Sequence, residues 1–111
     1  IVHNLLMNAL QALEELPSGE RRLRLSVGVE AGRGLLAVSD NGPGLLPEAL
    51  PRVFEPFFST REGGLGLGLS LCDTLASGMG GALEAAHAEP RGARFTLRLP
   101  LAGGSAQEMQ R

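Results

Sequence analysis

Three carboxamide side chains near the start of the sequence could hold a metal ion or a phosphate group. Asn4, Asn8 and Gln11 follow one another at intervals of four and three residues, so a helix would place them in one polar stripe. A carboxamide oxygen is a hard ligand that suits Mg²⁺ when phosphate oxygens and water supply the other ligands. The alternative is ordinary, because carboxamides also cap helices or face water.

A second candidate is the glycine-rich stretch REGGLGLGLSLC, from Arg61 to Cys72, which continues into an apolar, helix-like run. Glycines before a helix bare successive backbone N–H groups and let an anion approach the positive end of the helix dipole. A dinucleotide-binding loop is disfavoured because its third glycine would fall on Leu69. A Walker A loop is excluded because it needs a lysine and the sequence has none. A glycine loop without a ligand remains the alternative.

Asp40 is the third candidate, because it ends the apolar segment LLAVSD and is followed by the turn-forming residues NGPG. One interpretation is a turn-forming acid. The other is a buried hydrogen-bond acceptor that the neighbouring glycines allow a ligand to approach closely.

The apolar pattern predicts the elements that position these candidates. NLLMNALQALEEL has helical periodicity up to the breakers PSG, and RLRLSVGVE alternates as a strand with one wet face. LLAVSD is typical of a central strand that is buried on both sides. After the glycines we expect a helix with Gly68, Cys72, Leu75 and Met79 on one face, followed by a hairpin of ALEAAHA and ARFTLRLP around EPRG. This order predicts an α+β fold, a two-layer sandwich whose mixed, mostly antiparallel sheet has helices on one face.

Composition limits the possible classes of protein. The chain has 111 residues, of which 43% are hydrophobic and 20% charged, as expected of one globular domain. We expect that domain to cover residues 1–100 and to lack its N-terminal turns, with residues 101–111 forming a tail or linker. A net charge of −2 and scattered arginines argue against a general nucleic-acid binder. The single cysteine excludes an intrachain disulfide, and no apolar run reaches the ~18 residues that span a bilayer.

Together these segments resemble the catalytic, ATP-binding domain of sensor histidine kinases. Sensor histidine kinases belong to the GHKL superfamily, which has the Bergerat ATP-binding fold. The same superfamily contains type II topoisomerases and large heat-shock chaperones. NLLMNALQA is similar to the N box, DNGPGL to the first glycine box, VFEPFFSTR to the phenylalanine box and GGLGLGLS to the second glycine box. GARFTLRLP is similar to the closing strand, so the resemblance covers nearly the whole chain in the family's order.

The resemblance implies a role for each matching residue. Asn8 would coordinate Mg²⁺ between the phosphates, with Asn4 supporting the phosphate or the metal shell, and Asp40 would accept a hydrogen bond from the adenine amino group. Arg61 would meet the γ-phosphate, so Asn8 and Arg61 are the expected catalytic residues. Arg52 would be a second lid cation, although a solvated surface arginine is the favoured alternative. The other expected ATP contacts are Gln11, Gly42, Gly44, Thr60, Gly64, Leu65, Gly66, Leu67 and Gly68.

The phenylalanine box and the two histidines leave alternatives open. Phe54, Phe57 and Phe58 belong either to a lid that packs on the domain and its partner helix or to simple core packing. The segment between the two glycine boxes is short for the family, so we expect a lid without a long helix of its own. His3 and His87 lack the acidic neighbour and helical context of a phosphoacceptor, and Cys72 fits a small core residue.

One position distinguishes branches of the superfamily. Relatives that hydrolyse ATP or phosphorylate serine carry a glutamate base four residues before the metal-binding asparagine, and here that residue is Asn4. This favours a kinase that donates the γ-phosphoryl group to histidine on a separate dimerisation domain of the same parent protein, with a response regulator downstream. The resemblance implies a cytoplasmic domain with no membrane or nucleic-acid contact. The alternatives are a serine-directed, anti-sigma-type kinase and a nucleotide-binding interaction module without transfer activity.

Overall fold

The computed structural model describes residues 1–56, 58 and 68–101. Two helices and four strands make up the described fold, and short 3₁₀ turns occupy Ser18–Glu20 and Leu50–Arg52. In chain order the main elements are α1 (Val2–Leu13), β1 (Leu23–Glu30), β2 (Arg33–Asp40), α2 (Gly68–Gly78), β3 (Ala82–His87) and β4 (Ala93–Pro100).

The four strands form one sheet in the order β1-β2-β4-β3, and every neighbouring pair is antiparallel. A tight turn through Ala31 and Gly32, both at positive φ, joins β1 to β2 and matches the right-handed twist of the strands. The predicted fold class is confirmed, with an all-antiparallel sheet among the described strands. β2 lies in the centre of the sheet, as its apolar run predicts, and it ends at Asp40.

The core lies between the sheet and the helices. The strand register places Val38 beside Phe95 and Leu36 beside Leu97, on the face that the helices cover. α1 packs on β2, and α2 packs on β3 and β4. Leu5 of α1, Val38 of β2 and Cys72 of α2 are fully buried there, so the two helices and the central strands share one apolar core.

The prediction of one wet face for β1 is wrong, because both of its faces are exposed. Val27 and Val29 are on the same face as the core residues of β2, yet they are 77% and 69% exposed. β1 is an edge strand, and the two described helices lie over β2, β4 and β3 instead. The alternating pattern therefore identified the strand and its apolar face, but not how much of that face is covered.

The predicted buried face of α2 is also wrong by part of a turn. Cys72 and Ala76 are fully buried, whereas Leu75 and Met79 are 46% and 50% exposed. The helix ends as GMGG predicts: Gly80 has φ +79, its N–H donates to Ser77, and the Gly81 N–H donates to Ala76.

Candidate functional site

Asp40 ends β2 with its side chain turned into the protein. It is 4% exposed and is the one buried charged residue among those that the structure describes. The Gly42 N–H donates to Asp40 Oδ1 at 2.9 Å. This bond, from the N–H two residues further along the chain, is the one that a turn-forming aspartate makes. The structure thus shows Asp40 both buried and bonded as a turn-forming acid, and its role as an acceptor for a ligand stays a prediction.

The loop after Asp40 lies against the last turn of α1. A Cβ on Gly42 would lie 3.0 Å from the Ala12 carbonyl oxygen and 3.0 Å from Asp40 Oδ1, so a side chain there would be crowded on two sides. Gly44 has φ +78, a conformation that favours glycine. Gly42 thus brings the loop backbone close to the helix that carries the carboxamides, whereas Gly44 lies against Gly92.

The carboxamide stripe of α1 extends toward α2. Asn4 and Asn8 are half-buried one helical turn apart, whereas Gln11 is exposed. Asn4 Nδ2 donates to Cys72 Sγ of α2 at 3.4 Å, across 68 residues of sequence. The structure therefore places Asn4 between the two helices. Gly68 begins α2 and is exposed. A Cβ built on it would have no described atom within 4 Å apart from its chain neighbours and the backbone of its own helix.

The described part of the phenylalanine box contacts both its neighbours in sequence and the core. Arg52 forms an ion pair with Glu55 at 3.2 Å and lies over the Phe58 ring, 4.6 Å from its centroid. Phe54 packs edge-on against Phe95 of β4, with ring centroids 6.2 Å apart. Core packing thus accounts for Phe54, while the expected contact of Arg52 with ATP stays a prediction. Within residues 45–56, the only helical element is the 3₁₀ turn, as a lid without a long helix would have.

Several predicted site residues lie outside the described residues. They are Phe57, Thr60, Arg61, Gly64, Leu65, Gly66 and Leu67. The expectations for the γ-phosphate cation and for most of the second glycine box therefore stay predictions. His3 and His87 are exposed, and Cys72 is buried in the core, as expected of a small core residue.

Three side-chain hydrogen bonds of the loop after β2 were not predicted from the sequence. Asn41 Oδ1 accepts from the Arg22 N–H and Asn41 Nδ2 donates to the Glu20 carbonyl, both at 2.7 Å. On the other side, Arg91 Nε donates to the Gly42 carbonyl at 3.1 Å. The sequence indicated Asn41 only as a turn residue and Arg91 only as part of a hairpin turn, because the partners are far away along the chain.

The oxygen atoms of Asp40 and of the half-buried asparagines are of the types that bind amino groups and cations. A buried carboxylate is a suitable acceptor for an exocyclic amino group, and a half-buried carboxamide is a suitable oxygen ligand for a cation that also binds phosphate. Within the described part of the chain, no three His, Cys, Asp or Glu side chains are grouped so that they could hold a metal ion. None of the described helices is long and apolar enough to cross a membrane.

Sequence comparison assigns residues 1–103 to the histidine kinase-, DNA gyrase B- and HSP90-like ATPase family. The two-component sensor PprA of Pseudomonas aeruginosa is 49% identical over an alignment of 107 residues, which covers 92% of this chain and 12% of PprA. Sensor histidine kinase ZraS of Escherichia coli O157:H7 is 35% identical over 91% of this chain and 21% of ZraS. The chain thus spans about an eighth to a fifth of the length of these relatives.

Solved structures of histidine kinases share the fold. The mycobacterial sensor histidine kinase MprB superposes with a TM-score of 0.74 at 31% identity, over 87% of this chain and 67% of that one. The catalytic domain of histidine kinase ThkA has a TM-score of 0.73 at 28% identity, over 87% of this chain and 61% of that domain. The sequence boxes, the antiparallel sandwich and these relatives agree: the chain belongs to the histidine kinase-, DNA gyrase B- and HSP90-like ATPase family, as an ATP-binding catalytic domain of the sensor histidine kinase type.

Proposed function

We propose that this domain binds Mg·ATP and donates the γ-phosphoryl group to a histidine on a separate dimerisation domain of the same parent protein. The observation that carries the proposal is the Asp40 carboxylate, 4% exposed at the end of β2, with the Gly42 N–H on one oxygen. The relatives named above are a two-component sensor and a sensor histidine kinase, which supports the same reaction. A response regulator would then take the phosphoryl group from the histidine.

Asp40 would select the base. Its carboxylate accepts hydrogen bonds only, so it pairs with the amino group of adenine. Guanine carries a carbonyl at that position, and two acceptors would then face each other in a buried site. The base would lie against the backbone of the loop, which Gly42 and Gly44 allow to pack closely on Ala12 and Gly92.

Asn8 would hold the metal that accompanies the nucleotide, with Asn4 one turn earlier supporting the phosphates or the metal shell. When bound, Mg²⁺ neutralises phosphate charge and orients the γ-phosphoryl group. The contact between Asn4 and Cys72 fixes the Asn4 carboxamide at the junction of α1 and α2. Arg61 would add a positive charge toward the γ-phosphate.

The acceptor would be a nucleophile without help from a base in this domain. Asn4 occupies the place of the glutamate that activates water or serine in other branches, and an amide takes no proton at neutral pH. The lone pair of a neutral imidazole nitrogen forms the new N–P bond while the bond from the γ-phosphorus to the bridging oxygen breaks, and ADP leaves with that electron pair. Both histidines of this chain are exposed and lie outside a phosphoacceptor context, so the imidazole would come from another domain. The proposal places this chemistry in the cytoplasm, as the resemblance implies.

The first test is calorimetric titration of the chain with ATP, with and without Mg²⁺. Loss of a hydrogen bond to a charged group costs about 1.5–3 kcal/mol, so Asp40→Asn should weaken ATP binding by about 10- to 150-fold. Asp73→Asn makes the same chemical change on α2 and should leave the affinity unchanged. Asn8→Ala should remove the Mg²⁺ dependence of binding.

Binding by the wild type that none of these variants alters would refute the assigned roles. A folded wild type that binds no ATP would refute nucleotide binding for the kinase and for the interaction module alike. Transfer is then tested by adding Mg·ATP labelled at the γ-phosphate together with the parent's dimerisation domain. Label on its histidine supports the proposal, whereas label on serine of another substrate would favour the anti-sigma-type alternative.

A further inference from the structure

The turn between β3 and β4 lies directly on the loop that follows β2. Arg91 Nε donates to the Gly42 carbonyl at 3.1 Å, and this bond joins residues 49 positions apart. The turn is closed by its own backbone hydrogen bond, from the Ala88 N–H to the Gly92 carbonyl at 3.0 Å. Arg91 therefore lies in a turn whose backbone is closed by a hydrogen bond.

The two backbones touch beside Arg91. A Cβ on Gly92 would lie 1.9 Å from the Asp40 carbonyl oxygen, a distance that no side chain could occupy, and Gly92 also has φ +108. A Cβ on Gly44 would lie 3.1 Å from the Gly92 carbonyl oxygen. Close backbone contact of this kind fixes the position of the turn, and with it the origin of the Arg91 side chain.

Both backbone polar groups of Gly42 are thereby engaged. Its N–H donates to the Asp40 carboxylate, and its carbonyl accepts from Arg91. Asn41, the residue before Gly42, is hydrogen-bonded through its side chain to Arg22 and Glu20, which precede β1. The loop is thus held from the β1 side by Asn41 and from the opposite hairpin by Arg91.

We propose that Arg91 is a positioning residue for base recognition: it holds the Gly42 carbonyl, so that the Gly42 N–H keeps the Asp40 carboxylate in the orientation that accepts from adenine. This inference rests on the proposed function for the identity of the ligand. The contact between Arg91 and Gly42 is independent of it.

The test compares Arg91→Met, which keeps an apolar stem but removes the donor, with Arg91→Lys, which retains a donor. Arg94→Met is the matched control, because Arg94 is an exposed arginine on the same hairpin. The first readout is the amide hydrogen exchange of Gly42 and Gly44 in the nucleotide-free chain, measured by NMR. Loss of one hydrogen bond of ordinary net strength should speed this exchange by about three- to tenfold in Arg91→Met.

The second readout is affinity for two ligands, ATP and inorganic tripolyphosphate, which has phosphates but no base. Arg91→Met should weaken ATP binding by about three- to tenfold and leave tripolyphosphate binding unchanged. Arg91→Lys should lie between the wild type and Arg91→Met, because an ammonium group donates to a carbonyl without the fixed guanidinium geometry. A merely structural effect would instead lower the fraction of chain that binds, and would affect both ligands equally.

Unchanged exchange at Gly42 and Gly44 in Arg91→Met would overturn the inference, as would an equal loss of affinity for both ligands or an effect matched by Arg94→Met. A wild type that binds neither ligand would refute the proposed function instead. In that case faster exchange in Arg91→Met would still establish that Arg91 holds the loop.

Discussion

The substitution Gly42→Ala tests how tightly the loop after β2 is packed against α1. The new methyl group would lie 3.0 Å from the Ala12 carbonyl oxygen, 3.0 Å from Asp40 Oδ1 and 3.2 Å from the Ala12 carbonyl carbon. Carbon atoms in contact prefer a separation of about 3.5–4.0 Å, so the loop or the helix end has to move by a few tenths of an ångström. Gly28→Ala on β1 is the matched control, because no described atom beyond its chain neighbours lies within 4 Å of a Cβ built on Gly28.

The expected free-energy difference comes from two opposing effects. Replacing glycine by alanine restricts the unfolded chain and stabilises a protein by about 0.4–1 kcal/mol where the native backbone tolerates it. Forcing a methyl group into a packed site costs about 1–3 kcal/mol. We therefore expect Gly28→Ala to be slightly more stable than the wild type and Gly42→Ala to be less stable by about 1 kcal/mol. The difference between the two variants is the overlap energy itself, about 2 kcal/mol.

Urea unfolding at 25 °C, followed by circular dichroism, measures this difference. With a slope of about 2 kcal/mol/M, the unfolding midpoints of the two variants should differ by about 1 M. Equal slopes would show that the mutations change stability rather than the extent of unfolding. A Gly42→Ala midpoint at or above that of Gly28→Ala would refute the close contact between the loop and the helix.

Two further predictions concern the loop and the sheet. Asn41→Ala removes both side-chain hydrogen bonds to the Glu20–Arg22 segment, so it should lower the free energy of unfolding by about 1–2 kcal/mol in urea titrations. An unchanged free energy of unfolding would contradict a stabilising role for these two hydrogen bonds. Val38→Ala and Val27→Ala make the same change on the same sheet face at 1% and 77% exposure. Thermal and urea unfolding should show that Val38→Ala lowers the free energy of unfolding by about 2–3 kcal/mol and Val27→Ala by under about 1 kcal/mol. Equal decreases would contradict the exposure of the apolar face of β1.

Some residues of the candidate site could be predicted from the neighbouring sequence and others could not. Asp40 at a strand end and the carboxamides one helical turn apart were predicted from their immediate neighbours in sequence, and the structure has Asp40 buried and both asparagines half-buried. Asn41 and Arg91 were not predicted, because a turn sequence says nothing about which distant backbone group a side chain will reach. The roles of Asp40, Asn4 and Asn8 in ligand binding stay predictions.

The sequence by itself determined the elements and their order. Periodicities of 3.6 and 2 residues arise from helix and strand geometry alone, so α1, β1, β2 and the closing hairpin could be predicted without any knowledge of their neighbours. The position of Asp40 at the end of β2 and the turns at glycines followed from the same local rules.

Only the tertiary structure decided which surfaces are covered and which distant groups meet. Burial depends on the element that packs over a face, and for this reason β1 keeps an apolar face in solvent and α2 buries Ala76 rather than Leu75. The contacts of Asn4 with Cys72 and of Arg91 with Gly42 join residues 68 and 49 positions apart. Such contacts depend on the strand order β1-β2-β4-β3, which brings the last hairpin against the loop after β2, and no periodicity in the sequence encodes that proximity.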